Sequence, residues 1–404
     1  MLKKILIVSL FLITSLSYSD SQWIKTTGPN TQYISSLLLY GNSLFAATTD
    51  GIYVSSNNGT TWVLKNNGIN TTNNTTYCLI TAGNKILCGS DSGVYVSSNN
   101  GDSWTRKNNG IPVGYARKIN AFLLYNGTNI YAGTDRGVYL STNNGESWVA
   151  RDASIDSYII YSFTVKDNNI FAGTDKKVFR SSDAGLSWVT LSTGFPVTHT
   201  SAKALVTMGP NIVVGLCCGA GAYLSHDNGE RWGKIHDMTA NVFVSNGNNI
   251  IAGAIEGVLV STDNGATWTE RNEGLQYLTT TALAYNATKI FAGVELYVWY
   301  RPVGDLIGVN KISSEVPVHY SLSQNYPNPF NPKTIINYQL AMSNNVRLII
   351  YDVMGREAAM LVNQKQNAGT YEIEWNASTY PSGVYFYKLE AGGFVMSKKM
   401  VLIK

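Results

Sequence analysis

An eight-residue phrase, written six times, constrains this chain more than anything else in it. The copies are SSNNGTTW from Ser55 to Trp62, SSNNGDSW from Ser97 to Trp104, STNNGESW from Ser141 to Trp148, SSDAGLSW from Ser181 to Trp188, SHDNGERW from Ser225 to Trp232 and STDNGATW from Ser261 to Trp268. Their common pattern is Ser-x-Asp/Asn-x-Gly-x-x-Trp, with Asn57, Asn99, Asn143, Asp183, Asp227 and Asp263 at the third position and Gly59, Gly101, Gly145, Gly185, Gly229 and Gly265 at the fifth. A short Asp or Asn side chain accepts hydrogen bonds from backbone N–H groups just downstream, and Gly takes the positive φ that other residues avoid. The phrase is therefore a tight turn. The Trp that follows has a large apolar face to bury and an indole N–H that needs an acceptor. Burying most of one such ring is worth roughly 4–6 kcal/mol by area.

These octapeptides resemble Asp-boxes, the bacterial neuraminidase repeat. The resemblance implies a β-propeller of the kind found in sialidases, xyloglucan hydrolases, sortilin-like receptors and photosystem assembly factors. It also implies that the boxes are structural turns lying away from any active face. Asn57, Asn99 and Asn143 stand where the family prefers Asp, which weakens the turn electrostatically.

A second phrase precedes each box: LFAATTDGIYV at 44–54, ILCGSDSGVYV at 86–96, IYAGTDRGVYL at 130–140 and IFAGTDKKVFR at 170–180, with weaker versions at 212–224, 250–260 and 290–300. Apolar blocks bounded by Gly and Asp are the signature of strands and hairpins. Each unit reads as four strands. Successive box tryptophans are 42, 44, 40, 44 and 36 residues apart, a period that suits a four-stranded propeller blade. One blade cannot cover both its faces, so neighbours must stack.

The seventh copy of the second phrase, Ile290 to Tyr300, runs into Arg301 and Pro302 with no box behind it. Its missing strand is at the other end of the chain, where Gln22-Trp23-Ile24-Lys25 parallels Thr61-Trp62-Val63-Leu64, and Trp23 lies 39 residues before Trp62. The fold class expected is all-β: a seven-bladed β-propeller over residues 20–301, closed by the N-terminal strand pairing into the last blade. Closure removes exposed edge strands that would otherwise invite aggregation. An open array, or six blades with a remnant, is the alternative.

Lys3 and Lys4 ahead of the apolar run Ile5 to Leu16, with Ser17 and Ser19 behind it, read as a secretory signal over residues 1–19. The run is too short to span a bilayer comfortably, and no transmembrane segment is expected in the mature chain. Four cysteines in an exported chain can be oxidised. Cys78 and Cys88 fall on neighbouring strands, whereas a bridge between adjacent Cys217 and Cys218 would be strained; free thiols are the alternative. Residues 22–301 hold nineteen Lys or Arg against eighteen Asp or Glu, so no basic patch points to nucleic acid.

Residues 302–319 read as linker. Beyond them, NYPNPFNP at 325–332, IYDVMGRE at 350–357, PSGVYFYKL at 381–389 and the closing KKMVLIK stand among short alternating segments that suggest a small β-sandwich. Residues 320–404 closely resemble the type A C-terminal sorting domain of the type IX secretion system of Bacteroidetes-like bacteria. That implies the secretion machinery as a partner and a secreted or outer-surface location, usually with removal of the tail.

The face opposite the boxes carries the variation. Its second-to-third-strand turns offer Asp91, Asp135, Asp175 and Glu295. Its blade-to-blade connections offer Tyr115, Arg117 and Lys118, then Tyr158 and Tyr161, His199, His236 with Asp237, and Tyr277. Aromatic and charged groups on loops over a rigid scaffold suit a ligand site. They are also what solvated turns look like, and the acids can cap their own hairpins. No G-x-S-x-G, HExxH or Walker motif occurs and the four histidines are scattered, so no metal or cofactor is expected. The sialidase Arg-Ile-Pro signature is missing, echoed only by Tyr300-Arg301-Pro302. The expected function is a monomeric, non-catalytic module that binds polysaccharide or protein. The alternative is a glycoside hydrolase using turn carboxylates such as Asp135 and Asp175, since such enzymes need two carboxyls across a cleft.

Overall fold

A computed structural model describes residues 22–404, apart from 32, 73, 197–200, 247–248, 287, 307–308, 314–316 and 378–379. The apolar leader and His199 therefore lie outside the described residues. Strands between Ile24 and Pro302 form seven four-stranded antiparallel sheets. Six are built from strands consecutive in sequence, beginning with Ile34–Tyr40, Ser43–Thr48, Gly51–Ser55 and Val63–Leu64. The remaining sheet takes Thr280–Tyr285, Lys289–Val294 and Tyr297–Pro302 from one end of the chain and Ile24–Lys25 from the other. The first strand of each sheet touches the first strand of the next, and Thr280–Tyr285 touches Ile34–Tyr40, so the contacts run in a circle.

Why the sheets stack follows from the second phrase. Its strands are buried on both sides, and one large side chain from each, Phe45, Leu87, Tyr131, Phe171, Val213, Ile251 and Phe291, is wholly covered between neighbouring sheets. At the seam, Ile24 lies opposite Tyr300 and Lys25 opposite Trp299. Trp23 is buried there, and its indole Nε1 donates to the Arg271 carbonyl at 2.5 Å. Trp104 makes the same bond to Lys65 at 2.9 Å and Trp148 to Lys107 at 3.0 Å, so Trp23 does for the last sheet what these two box tryptophans do for theirs. Trp268 instead donates within its own box, to the Gly265 carbonyl at 3.1 Å. Arg301, which faintly echoed an enzyme signature, is buried at this seam and paired with Glu273 at 2.7 Å.

Each box is closed by its own side chains. Ser55 Oγ accepts from Gly59 N at 2.8 Å and donates to Asn57 Oδ1 at 3.0 Å, and that oxygen accepts from Thr61 N at 2.8 Å. The expected weakening of the Asn turns is offset by a change of polarity. Asn57, Asn99 and Asn143 each donate their amide N–H to the hydroxyl four residues on, at 2.8–2.9 Å, where Asp183 and Asp263 instead accept from it. Box acids also reach backwards around the ring: Glu146 pairs with Lys107 and Lys85, and Glu230 with Arg180.

The segment expected as a linker holds a helical turn, Val303–Leu306, and a strand, Val309–Ser313, that pairs with Gly369–Asn376. An extended chain beside an open sheet edge satisfies backbone groups that would otherwise need water, which a composition-based linker reading cannot foresee. The tail consists of two further four-stranded sheets. Ile336, Tyr338 and Ile373 of one share a core with Leu348, Ile350, Tyr387 and Leu389 of the other. No helix among the described residues is long and apolar enough to cross a membrane.

Candidate functional site

Where the seven first strands meet at the axis, each begins with the same irregularity. The pairing between first and second strands slips at 34/36, 76/78, 119/121, 160/162, 202/204, 240/242 and 280/282. The residue left over in each sheet is Ser35, Tyr77, Asn120, Tyr161, Lys203, Asn241 or Thr281. A β-bulge of this kind leaves one residue out of the ladder and re-aims its side chain. All seven line one open cavity of about 230 Å³ on the axis. The ring is wholly polar or aromatic, although the strands that carry it are otherwise largely apolar.

Two of the turn acids, Asp91 and Asp135, hold this ring from behind. Asp91 accepts from the Tyr77 hydroxyl and from Thr75 N, both at 2.9 Å. Asp135 accepts from Asn120 Nδ2 at 2.9 Å and lies 4.0 Å from Lys118 Nζ, and Asp175 accepts from Ile159 N at 3.1 Å. Two lysines lie over tyrosine faces: Lys203 Nζ is 3.4 Å from the centre of the Tyr161 ring, and Lys118 Nζ is 4.9 Å from that of Tyr77. Such cation–π contacts strengthen as water is excluded. Burial, then Asp91, pushes the Tyr77 phenol up to about 12, and burial lowers Lys203 from the usual lysine value. Ser35 Oγ and Ser162 Oγ are buried beside the cavity with no hydrogen-bond partner among the described residues.

Of the residues singled out from sequence, only Tyr161 is in the ring, while Asp91, Asp135 and Lys118 buttress it. Asp175 holds its own hairpin. Tyr115 is exposed on a 3-10 turn with Arg136 stacked 5.7 Å from its ring, and Arg117 ends the same turn. Tyr158 packs edge-on against Phe179 under Lys176. His236 accepts from Met238 N at 3.0 Å, Asp237 pairs with Lys234 at 2.6 Å, and Tyr277 is exposed. These lie on separate outer connections and form no cluster with the ring. Among the described residues, no group of three or more His, Cys, Asp or Glu could hold a metal ion. Sequence reasoning missed the other six ring residues. Their signal is a recurring polar position that directly follows Ile, Thr or Ala and stands 12 or 13 residues ahead of the Ala or Gly in each second strand.

Repeated four-stranded sheets around an axial cavity define a β-propeller, here followed along the chain by a second all-β unit. That domain, residues 324–404, matches the family model described as secretion system C-terminal sorting domain, the mark of type IX export. Residues 136–300 match the model for sortilin, neurotensin receptor 3, and residues 9–130 a DUF6242 β-propeller domain. No curated protein matches the chain in sequence. Among solved structures, the chain is similar to PorZ, a surface component of the type IX secretion system of Porphyromonas gingivalis, with 13% identity, a TM-score of 0.58 and coverage of 93% of this chain and 60% of PorZ. An ancestral GH74 enzyme gives 16%, 0.56, 92% and 60%, and YCF48 bound to a D1 peptide gives 14%, 0.55, 71% and 98%. The chain thus spans about 60% of the length of PorZ and of the GH74 enzyme. At these identities the likeness is one of fold.

Proposed function

We propose that residues 20–301 form a seven-bladed β-propeller and that residues 320–404, with Val309–Ser313 added at one sheet edge, form an Ig-like sorting domain that takes the protein through type IX secretion. On the outer surface or beyond it, the propeller acts as a non-catalytic module that binds a polysaccharide or a protein at the axial mouth. The observation that carries this reading is the ring of seven bulge side chains. A bulge repeated in every sheet gives up ladder hydrogen bonds to point polar groups at one place, and the closed scaffold holds them there without further ordering cost. The ring supplies amide, hydroxyl, aromatic and ammonium groups, a set suited to a polar ligand with some negative charge.

The same geometry weighs against hydrolysis. A glycosidase needs two carboxyls free to exchange protons across a cleft. Asp135 is engaged by Asn120 and Asp175 by Ile159 N, which leaves them as supports. The test is retention of the full chain on immobilised bacterial and plant polysaccharides and on outer-surface protein extracts, with reducing sugar measured in parallel. Wild type should be retained without turnover, and Tyr161→Ala or Lys203→Met should weaken retention about tenfold, the loss of roughly one charge-assisted contact. Release of reducing sugar that disappears in Asp135→Asn or Asp175→Asn would instead establish a hydrolase.

A further inference from the structure

The fifth sheet departs from the others at the mouth. Its second and third strands, Asn211–Leu216 and Gly221–Ser225, are joined through Cys217 and Cys218. Cys217 N donates to Ser201 O at 2.9 Å, the bond that Asp91, Asp135 and Asp175 make to Thr75, Lys118 and Ile159 in their own sheets. Cys217 thus stands where those sheets have an acid, and Lys203 is the bulge residue of the same sheet. Ala220 N closes the turn on Cys217 O at 3.1 Å, with Cys218 and Gly219 at φ 60° and 77°, the geometry of a tight hairpin turn. The two sulfurs are 2.7 Å apart; Cys218 is exposed and Cys217 partly so.

The geometry points to a modification site: Cys217 and Cys218 form a vicinal dithiol that closes to a disulfide by exchange with a small oxidised thiol such as cystine. The Cys218 thiolate, the more accessible sulfur, attacks the cystine bond, giving a mixed disulfide and releasing one cysteine thiolate. Cys217 then attacks the Cys218 sulfur, the Cys217–Cys218 bond forms and the second cysteine leaves. The protons of the two protein thiols end on the two released cysteines, so one disulfide is reduced as another is made. The turn holds the second thiol beside the first, so the closing step is intramolecular, while the strain of a bridge between adjacent residues keeps the bond readily reducible. Cys78 and Cys88 are buried, and burial pushes both thiols far up, so they are inert internal controls. An exported chain meets small disulfides, and the site then makes the fifth turn of the mouth responsive to their poise.

The test uses the reduced full chain with excess cystine. The expected result is a loss of about 2 Da, two hydrogens, confined to the peptide carrying Cys217 and Cys218, with two thiols still alkylated after unfolding. Cys218→Ser removes the first nucleophile and should react at least tenfold more slowly, while Cys217→Ser should stop at a persistent half-cystine adduct on Cys218. Persistent adducts on wild type, no reaction, or consumption of Cys78 and Cys88 would each overturn the assignment.

Discussion

At the scale of single residues, the boxes show how one chemical task is met in two ways. Ser181, Asp183 and Ser187 close the fourth box with a carboxylate, and the Ser187 hydroxyl, then the Ser187 N–H and the Ser181 hydroxyl, hold Asp183 down at about 2. A carboxyl whose folded value lies below its ordinary 3.8 contributes stability in full above about 4 and loses it as pH falls toward 2. Melting temperature against pH should therefore fall less steeply between 4 and 2 in Asp183→Asn than in wild type, since Asn forms the same turn elsewhere. Parallel curves would contradict the turn's role. The next residue, Ala184, has φ 56° where the other five boxes place Asn58, Asn100, Asn144, Asn228 and Asn264 at 56–62°. Left-handed backbone costs an ordinary L-residue about 1 kcal/mol and Asn less. Ala184→Asn should raise stability by roughly 0.5–1 kcal/mol, read as a higher denaturation midpoint at unchanged slope.

At the scale of elements, close backbone approach decides which substitutions are tolerated. Gly110 has φ 90°, and a Cβ there would lie 1.8 Å from the Trp148 carbonyl; Gly68 and Gly194 meet Trp104 and Trp232 in the same way. Gly110→Ala should cost about 3 kcal/mol or more, because the strand carrying Trp148 must shift. Gly127, also at positive φ but with open space around it, should cost only about 1 kcal/mol on the same change. Trp148→Ala should cost roughly 3–5 kcal/mol, as it empties a buried site stacked on Phe122. A melting temperature equal to wild type would contradict that burial. The contrast with the ring explains what was legible. A box is closed by bonds within five residues, so Ser55, Asn57 and Gly59 announce it locally. A bulge such as that at Tyr77 is fixed by the register of two strands and by Asp91, well downstream of it, and nothing in the local pattern separates it from an edge residue.

At the scale of the molecule, the arrangement of sheets followed from two facts visible in the chain, the spacing of the tryptophans and the match between Trp23 and Trp62. The strand hidden in 302–319 was not legible, because its partner, Gly369–Asn376, lies far along the sequence. Nor was the mouth, since a ligand surface is assembled from one residue per sheet and exists only once the circle is complete. Everything proposed for the mouth therefore depends on the two ends of the propeller segment meeting. Ile24 and Tyr300 face each other across that seam. The most direct measurement replaces both with cysteine, in a chain whose Cys217 and Cys218 are replaced by serine, and follows oxidation of the native protein. The account predicts near-complete disulfide bonding between the two introduced thiols in the folded monomer, with a marked rise in melting temperature because the bond closes a very long loop. Oxidation that yields no such bond, or only bonds between molecules, would contradict it.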